Sequence, residues 1–355
     1  MSPHFHTLTV SDIQKEMKGV TSVLFTVPNE LKDSFNWRSG QHLTLRITLK
    51  GEEYRRSYSI SSSPFSDDPL RITVKHVKGG TVSKYINEKL TIGDQLEIMP
   101  PLGQFCLDPA STLRRTHYLF GAGSGITPLF SMLQSALLAE PYSRLHLLYG
   151  NTNGDNIIFK QQLAQLQEHY RDRLSVSHVL SKPSIWSSQG YWRKGRLNAE
   201  MVGEFINEHP PYAQDAQYYI CGPGQMNTLV KTALMGLDVP AKRIHSESYG
   251  GQLITDEPVR GMAATVQIKL GGTRHNVQIA EGQTVLAAAR AAGLEPAFSC
   301  QAGVCGACRA QLIKGSVHMK ARIALEDDRI ANGEILSCQA LATSPELVIE
   351  YRGDT

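Results

Sequence analysis

Residues 118–128 read Tyr-Leu-Phe-Gly-Ala-Gly-Ser-Gly-Ile-Thr-Pro, an apolar strand that passes through a glycine-rich turn into an apolar helix. This order predicts a helix with Thr127 as N-cap and Pro128 as its first residue. The free N–H groups of such a helix start favour an anion. Ile126 stands where the dinucleotide fingerprint G-x-G-x-x-G has its last glycine, so close packing of strand and helix is an alternative explanation.

A second strand, turn and helix are predicted around residues 220–226, which read Ile-Cys-Gly-Pro-Gly-Gln-Met. Between the two turns, apolar strands alternate with helical segments, as in the helix predicted at 128–139 and the strand at 145–149. This alternation indicates a parallel sheet with helices on both faces. We therefore expect an α/β domain over residues 111–247.

The N-terminal part has short alternating apolar runs divided by glycine and proline. Strands are predicted at residues 23–27, 42–47, 71–74 and 95–98, with one short helix near 82–90. This pattern is typical of an antiparallel β-barrel, which we expect over residues 1–110.

Residues 248–262 are rich in glycine, proline and small polar residues without a helical period, which predicts a linker. A third unit, residues 263–355, opens with a hairpin pattern around Gly271-Gly272 and a helix over 285–292 that Gly293 ends. Three units suit a chain of 355 residues, since a domain takes roughly 150.

Four of the six cysteines lie in this third unit, as Cys300-x4-Cys305-x2-Cys308 followed by Cys338. This is the ligand spacing of a plant-type 2Fe-2S ferredoxin. Gly303, Gly306 and Ala307 give the loop the tight turns and small side chains that three neighbouring thiolates need. A zinc site is the alternative, but it usually takes two Cys-x2-Cys pairs. Cys106 lies outside the pattern and is expected to be an ordinary half-buried thiol.

A flavin is expected because a cluster moves single electrons whereas a nicotinamide cofactor gives a hydride. Residues 55–60 read Arg-Arg-Ser-Tyr-Ser-Ile and contain R-x-Y-S. Arg56 can pair with a pyrophosphate, the Tyr58 ring can lie on the flavin face, and the Ser59 hydroxyl can reach the flavin N5 region. The Gly79-Gly80 turn before a helix presents N–H groups to phosphate.

In this order the motifs resemble the ferredoxin-NADP reductase superfamily: R-x-Y-S at 56–59, G-x-G-x-G-x-x-P at 121–128, C-G-P-x-x-M at 221–226 and Glu-Ser-Tyr at 247–249. With a plant-type ferredoxin at the C-terminal end, the whole chain looks like an oxygenase reductase, most similar to the reductases of phenylacetyl-CoA epoxidation. The resemblance implies an FAD-binding barrel, an NAD(P)-binding α/β domain and an α+β ferredoxin domain of the β-grasp type.

The resemblance also implies site residues. Those of the flavin site are Arg56, Ser57, Tyr58, Ser59, His76, Val77, Gly80, Val82 and Ser83, and those of the nicotinamide site are Gly123, Thr127, Cys221, Gly222 and Met226. Catalytic roles are implied for Ser59, Cys221 and Glu247, with Glu247 near the flavin ring. Cys300, Cys305, Cys308 and Cys338 would bind the cluster. The choice of FAD over FMN rests on the resemblance alone.

The implied reaction passes electrons from NADPH or NADH through FAD and a 2Fe-2S cluster to a partner oxygenase or epoxidase. Alternative acceptors are a ring-hydroxylating dioxygenase, a ketosteroid or alkane hydroxylase and a hybrid-cluster protein. A redox sensor belongs to a different class, and the nicotinamide motifs count against it because a sensor needs no such site.

The preference between NADPH and NADH is expected to be modest. Related reductases often carry, after a segment like 149–151, an arginine that can hold a 2′-phosphate, and Thr152 stands there instead. Lys182 or Arg193 could replace the missing charge.

Composition limits the partners. The 36 basic and 33 acidic residues give a formal net charge of +3, which falls short of the concentrated basic surface of a nucleic-acid binder. The N-terminal residues lack a signal-peptide pattern, and no segment reaches the roughly 20 apolar residues that span a bilayer. We expect a cytoplasmic protein without a nucleic-acid or membrane partner.

Overall fold

The structure is a computed structural model that describes residues 5–183, 192–248, 259–298, 301, 303, 306–322, 324, 325 and 327–351. Contacts divide the chain into a reductase unit and a C-terminal unit. Within the described ranges, each helix is too short or too polar to cross a membrane.

The N-terminal strands form a closed antiparallel sheet. Its elements are β1 (His6–Met17), β2 (Val20–Thr26), β3 (His42–Leu49), β4 (Glu52–Ser59), β5 (Leu70–Lys75), helix α1 (Thr81–Glu88) and β6 (Gln95–Leu102), and the strand order is β4-β3-β6-β1-β2-β5. A bridge between Ile60 and Ile72 links the ends of the sheet. In β1, buried Leu8 and Val10 alternate with more exposed neighbours, as a one-sided core requires. The predicted β-barrel is confirmed.

The next part is a parallel sheet with helices packed on it. Its elements are β7 (Arg115–Ala122), α2 (Ile126–Ala139), β8 (Arg144–Asn151), α3 (Lys160–His169), β9 (Leu174–Leu180), β10 (Trp192–Lys194), α4 (Ala199–Glu208), β11 (Asp215–Gly222), α5 (Gly224–Gly236) and β12 (Ile244–Ser248), with strand order β10-β9-β8-β7-β11-β12. The chain runs from β7 to β8 on one side and later to β11 on the other. A crevice therefore forms at the carboxyl ends of these strands, as the prediction of an α/β domain requires.

The start of α2 differs from the prediction. Residues Gly123–Gly125 form a 3-10 turn, and Gly125 occupies the N-cap. Thr127 already lies in the first helical turn, where its hydroxyl donates to the Ser124 carbonyl at 3.0 Å. The predicted N-cap role of Thr127 is therefore wrong, because the 3-10 turn brings the backbone into helical geometry before this residue.

Gly125 is required for close packing. A Cβ at this position would lie 2.0 Å from the carbonyl oxygen of Cys221 on β11. The glycine-rich turn thus serves packing of helix against strand, which was the alternative explanation.

The C-terminal unit is a mixed sheet with one main helix. Its elements are β13 (Ala264–Leu270), β14 (Thr273–Ile279), α6 (Val285–Ala291), β15 (Arg309–Lys314), β16 (Val317–Met319), α7 (Asp327–Ala331), β17 (Glu334–Leu336), β18 (Ala340–Ala342) and β19 (Glu346–Glu350). The larger sheet has the order β14-β13-β19-β15-β17, and β16 pairs with β18. Gly271 and Gly272 both have positive φ, as the predicted hairpin turn needs.

The end of the predicted linker packs on this unit. The Met262 N–H donates to the Ala342 carbonyl at 2.9 Å, and Gly261 lies against Leu341. Ordered contacts therefore begin before residue 263, while residues 249–258 of the predicted linker lie outside the described residues.

Replacing Gly125 with alanine tests the packing of the turn. We expect Gly125→Ala to lower the free energy of unfolding by about 1–3 kcal/mol, because the added methyl group meets rigid backbone. Gly203→Ala is the matched control, since Gly203 lies within α4 with no atom within 4 Å of an added Cβ. It should gain about 0.5–1 kcal/mol. Equal effects of the two changes in urea unfolding would contradict this packing argument.

Two buried histidines and one half-buried histidine make the reductase unit sensitive to acid. Burial lowers the pKa of His42 to about 4, of His146 to about 3 and of His178 to about 4. The folded chain therefore holds these rings neutral, whereas in the unfolded chain they take a proton near the ordinary pKa of 6.5. Above about pH 6.5 these rings do not lower the free energy of unfolding. The free energy of unfolding decreases as the pH falls from there toward their folded pKa values.

We expect His146→Phe to weaken the loss of stability between about pH 6.5 and pH 4, because the phenyl ring takes no proton in the unfolded chain. The measurement is the urea midpoint as a function of pH. Gln165→Phe, at an exposed and uncharged residue on α3, should keep the wild-type slope. A His146→Phe slope equal to that of the wild type would show that this ring does not contribute.

Candidate flavin, nucleotide and iron-sulfur sites

A pocket of about 530 Å³ lies at the carboxyl ends of β7, β8, β9 and β11. Gly123, Gly222 and Met226 line it, so three of the predicted nicotinamide residues meet at one place. A Cβ on Gly222 would lie 2.8 Å from the Met226 Cε atom, so the glycine gives the methionine room to cover the turn. The shape and position suit a nucleotide.

Two other predicted nicotinamide residues lie behind the pocket wall. Cys221 is fully buried in the core between β7 and β12, where it is paired in register with Gly121 and Glu247. Thr127 is 3% exposed. Neither is among the described residues that line the pocket. Cys221 directly precedes the lining residue Gly222, and the Thr127 hydroxyl donates to the carbonyl of the lining residue Ser124.

The pocket has two basic side chains that sequence reasoning missed. Arg196, just after β10, lines the same end as Thr152 and Ser181, whereas Lys75 comes from β5 of the barrel. The Lys75 Nζ atom lies 3.9 Å from the position that a Cβ of Gly123 would take. Both side chains are exposed, and neither forms an ion pair with a described residue. For Arg196 the available signal was its position just after a strand of the parallel sheet.

The cations suggested from sequence are placed differently. Arg193 on β10 pairs with Glu208 and lies 4.0 Å from Glu204, and only 11% of its side chain is exposed. Its guanidinium therefore contacts α4, and the suggestion that it replaces the missing charge stays a prediction. The Lys182 N–H donates to the Thr152 carbonyl at 2.7 Å, but Lys182 is not among the described lining residues.

The predicted flavin residues lie at the end of β4 and around the start of α1. Tyr58 is half-buried and Ser59 is 3% exposed. In the Gly79-Gly80 turn, Gly80 is the N-cap of α1 without a side-chain cap, which leaves N–H groups for a phosphate. The Ser83 hydroxyl accepts from the Val77 N–H at 3.1 Å and so shapes this turn.

The remaining flavin residues divide into exposed and structural ones. Val77 is 61% exposed, an apolar surface that suits contact with a flavin, and His76 beside it is also exposed. Val82 is buried in the barrel core. Arg56 is exposed on β4, and its Nη1 atom donates to the Arg55 carbonyl. Ser57, the other predicted residue of this strand, is partly buried. Exposed apolar groups and free N–H groups together fit a flavin nucleotide.

Glu247 lies near the end of β12, where its backbone carbonyl accepts from the Asn227 side chain at 2.7 Å. Burial raises the pKa of the nearby Cys106 thiol to about 11, and the negative charge of Glu247 adds to this. Cys106 is therefore a protonated, half-buried thiol, as expected.

Two of the four predicted cluster ligands are described. Cys308 and Cys338 are buried, and their Sγ atoms lie 3.2 Å apart, too far for a disulfide bond of about 2.05 Å. Cys300 and Cys305 lie outside the described residues. Gly303 and Gly306 on the same loop both have positive φ, which the predicted tight turns need. Two buried cysteines with neighbouring Sγ atoms beside a glycine-containing loop fit thiolate ligation of iron.

Comparison with protein families agrees with this division. Residues 7–106 match an oxidoreductase FAD-binding domain, residues 119–232 an oxidoreductase NAD-binding domain, and residues 268–343 a 2Fe-2S iron-sulfur cluster binding domain. The cofactors expected from the motifs are therefore supported by independent family profiles.

Relatives match over almost the whole chain. A component of the 1,2-phenylacetyl-CoA epoxidase from Escherichia coli is 32% identical over 351 residues and is matched over 98% of both chains. The ferredoxin reductase component of 3-ketosteroid-9-alpha-monooxygenase from Rhodococcus rhodochrous is 36% identical over 355 residues, 97% of this chain and 96% of that one.

A solved structure has the same fold throughout. Phthalate dioxygenase reductase superposes with a TM-score of 0.65 over 98% of both chains, at 22% sequence identity. The chain thus matches relatives over nearly its whole length both in sequence and in fold. The chain belongs to the ferredoxin-NADP reductase superfamily, as an oxidoreductase of the oxygenase-reductase type in which FAD-binding, NAD-binding and 2Fe-2S domains follow one another.

Proposed function

We propose that this chain is the reductase component of a cytoplasmic phenylacetyl-CoA epoxidase. The observation that carries the proposal is the match to the Escherichia coli epoxidase component over 98% of both chains. In this proposal residues 1–110 bind FAD, residues 111–247 bind NAD(P)H, and residues 263–355 bind the cluster. A cytoplasmic location suits cysteines that bind iron as thiolates.

The match to a 3-ketosteroid monooxygenase reductase, at 36% identity, supports a second candidate with the same chemistry and a different acceptor. FAD, when bound, accepts a hydride and gives up single electrons, and the 2Fe-2S cluster takes electrons singly. The chain's own residues hold these groups. Tyr58 and Ser59 contact the flavin ring, and the Gly80 turn takes its pyrophosphate.

The nucleotide takes the pocket between β7 and β10 in this proposal. Gly123, Gly222 and Met226 surround the nicotinamide end, with Cys221 and Thr127 supporting them. Lys75 offsets the charge of the nucleotide phosphates near Gly123. Arg196 lies at the opposite end, beside Thr152 and Ser181, where the 2′-phosphate of NADPH is expected. Arg196 thus supplies the charge that Thr152 lacks.

Replacing Arg196 tests this assignment. We expect Arg196→Gln to lower kcat/KM for NADPH by roughly ten- to 150-fold, the equivalent of about 1.5–3 kcal/mol for one charged hydrogen bond. The value for NADH should stay within about threefold, because NADH has no 2′-phosphate. Lys194→Gln, at an exposed lysine two residues away, is the matched control. An equal loss for both cofactors would place Arg196 at the pyrophosphate instead.

The partner is tested by reconstitution. The purified holoprotein should support NAD(P)H-dependent turnover of the phenylacetyl-CoA epoxidase oxygenase component. Cys338→Ala should remove this transfer, because one of four thiolate ligands is lost, yet retain NAD(P)H reduction of ferricyanide through flavin. Cys106→Ala should leave both reactions intact.

Transfer to a 3-ketosteroid monooxygenase component but not to the epoxidase component would replace the first candidate with the second. Loss of ferricyanide reduction in Cys338→Ala, with flavin still bound, would contradict the proposed route from nicotinamide to flavin to cluster.

A further inference from the structure

We propose that Ser131 and Ser135 on α2 are positioning residues for hydride transfer, because they fix the nucleotide-binding helix against the segment that follows the flavin strand β4. Both side chains are fully buried. Both bond residues of the barrel, and they lie outside the motifs discussed above. The inference concerns the reductase chemistry common to the superfamily and does not depend on which oxygenase is the partner.

Ser135 joins two loops of the barrel to α2. The Ser39 hydroxyl donates to the Ser135 Oγ atom at 2.5 Å, and the Ser63 and Ser135 Oγ atoms lie 2.7 Å apart. Ser135 donates its single proton to the Ser131 carbonyl at 2.8 Å. Ser63 must therefore be the donor in its contact with Ser135. The Ser135 oxygen thus accepts twice and donates once, so its orientation is fully determined.

Ser131 makes a separate connection. Its hydroxyl donates to the Ser62 carbonyl at 2.6 Å. Ser39, Ser62 and Ser63 are each at most 1% exposed, so water does not compete for these bonds. Unlike apolar packing, these hydrogen bonds fix both the distance and the direction between α2 and the barrel.

These contacts lie between the two cofactor sites. Ser131 is four residues after Thr127, about 6 Å along the helix from its N-terminal turn. Ser62 follows Ser59, the residue assigned to the flavin N5 region, by three residues. The network therefore connects the turn that carries the nicotinamide to the strand end that carries the flavin.

The backbone next to Ser39 also lies close to α2. Gly40, next to Ser39, has a φ of +102°, and a Cβ there would lie 2.4 Å from the Met132 Cε atom and 2.1 Å from the Phe105 carbonyl oxygen. A larger residue at position 40 would move the Ser39 loop away from α2. Hydride transfer depends steeply on the distance between donor and acceptor, and a displacement of about 1 Å can cost about 100-fold in rate.

The test compares Ser135→Ala and Ser131→Ala with Ser22→Ala in the holoprotein. Ser22 is equally buried, and its hydroxyl bonds Glu16 and Thr73, neither of which lies on α2. We expect the α2 variants to lower the limiting rate of flavin reduction by at least about tenfold while the Kd for NAD⁺ and NADP⁺ changes by less than about twofold. The charge-transfer absorbance of reduced flavin with bound NAD⁺ should weaken, which is a measure of stacking and not of turnover.

Ser22→Ala should lose a similar amount of thermal stability and keep the wild-type rate and charge-transfer absorbance. Unchanged rates in both α2 variants, or an equal loss of rate in Ser22→Ala, would overturn the proposal. If Ser135→Ala fails to fold, Ser39→Ala decides the question, because it removes one donor and leaves the α2 side chains intact. A wild-type rate and absorbance in Ser39→Ala would then count against the proposal.

Discussion

The close packing of helix α2 against strand β11 and the barrel is the constraint on which the reductase unit depends. At its N-terminal turn, Gly125 packs so tightly on the Cys221 carbonyl that a single methyl group would not fit. About two to three turns later, Ser131 and Ser135 bond the barrel. One helix thus contacts the nucleotide turn at one end and the flavin-binding part of the barrel along its side, so a shift of α2 would alter both sites together.

The sequence predicted the order of domains because each has its own period and turn residues. Alternating strands indicated the barrel, the strand-turn-helix units indicated the parallel sheet, and cysteine spacing indicated the cluster loop. These signals are local. The helix start at Thr127 was predicted wrongly because a 3-10 turn at residues 123–125 competes with a simple N-cap, and residue preferences alone do not distinguish them.

The site was less predictable because it depends on contacts between distant residues. Lys75 comes from a barrel strand beside the predicted flavin residues His76 and Val77, so its sequence neighbours indicate the flavin site and not the pocket of the α/β domain. Arg193 and Arg196 are three residues apart, yet one is paired with α4 and the other faces the pocket. The buried serines look like ordinary polar helix residues until their partners at residues 39, 62 and 63 are known.

The proposed electron flow is linear, from nicotinamide to flavin and then to the cluster. It is tested most directly by removing the flavin from the purified protein while the cluster is retained, adding NAD(P)H without oxygen, and following the electron paramagnetic resonance signal of the reduced cluster. We predict no signal without flavin and a full signal after FAD is added back. Reduction of the cluster by NAD(P)H in the flavin-free protein would contradict this order.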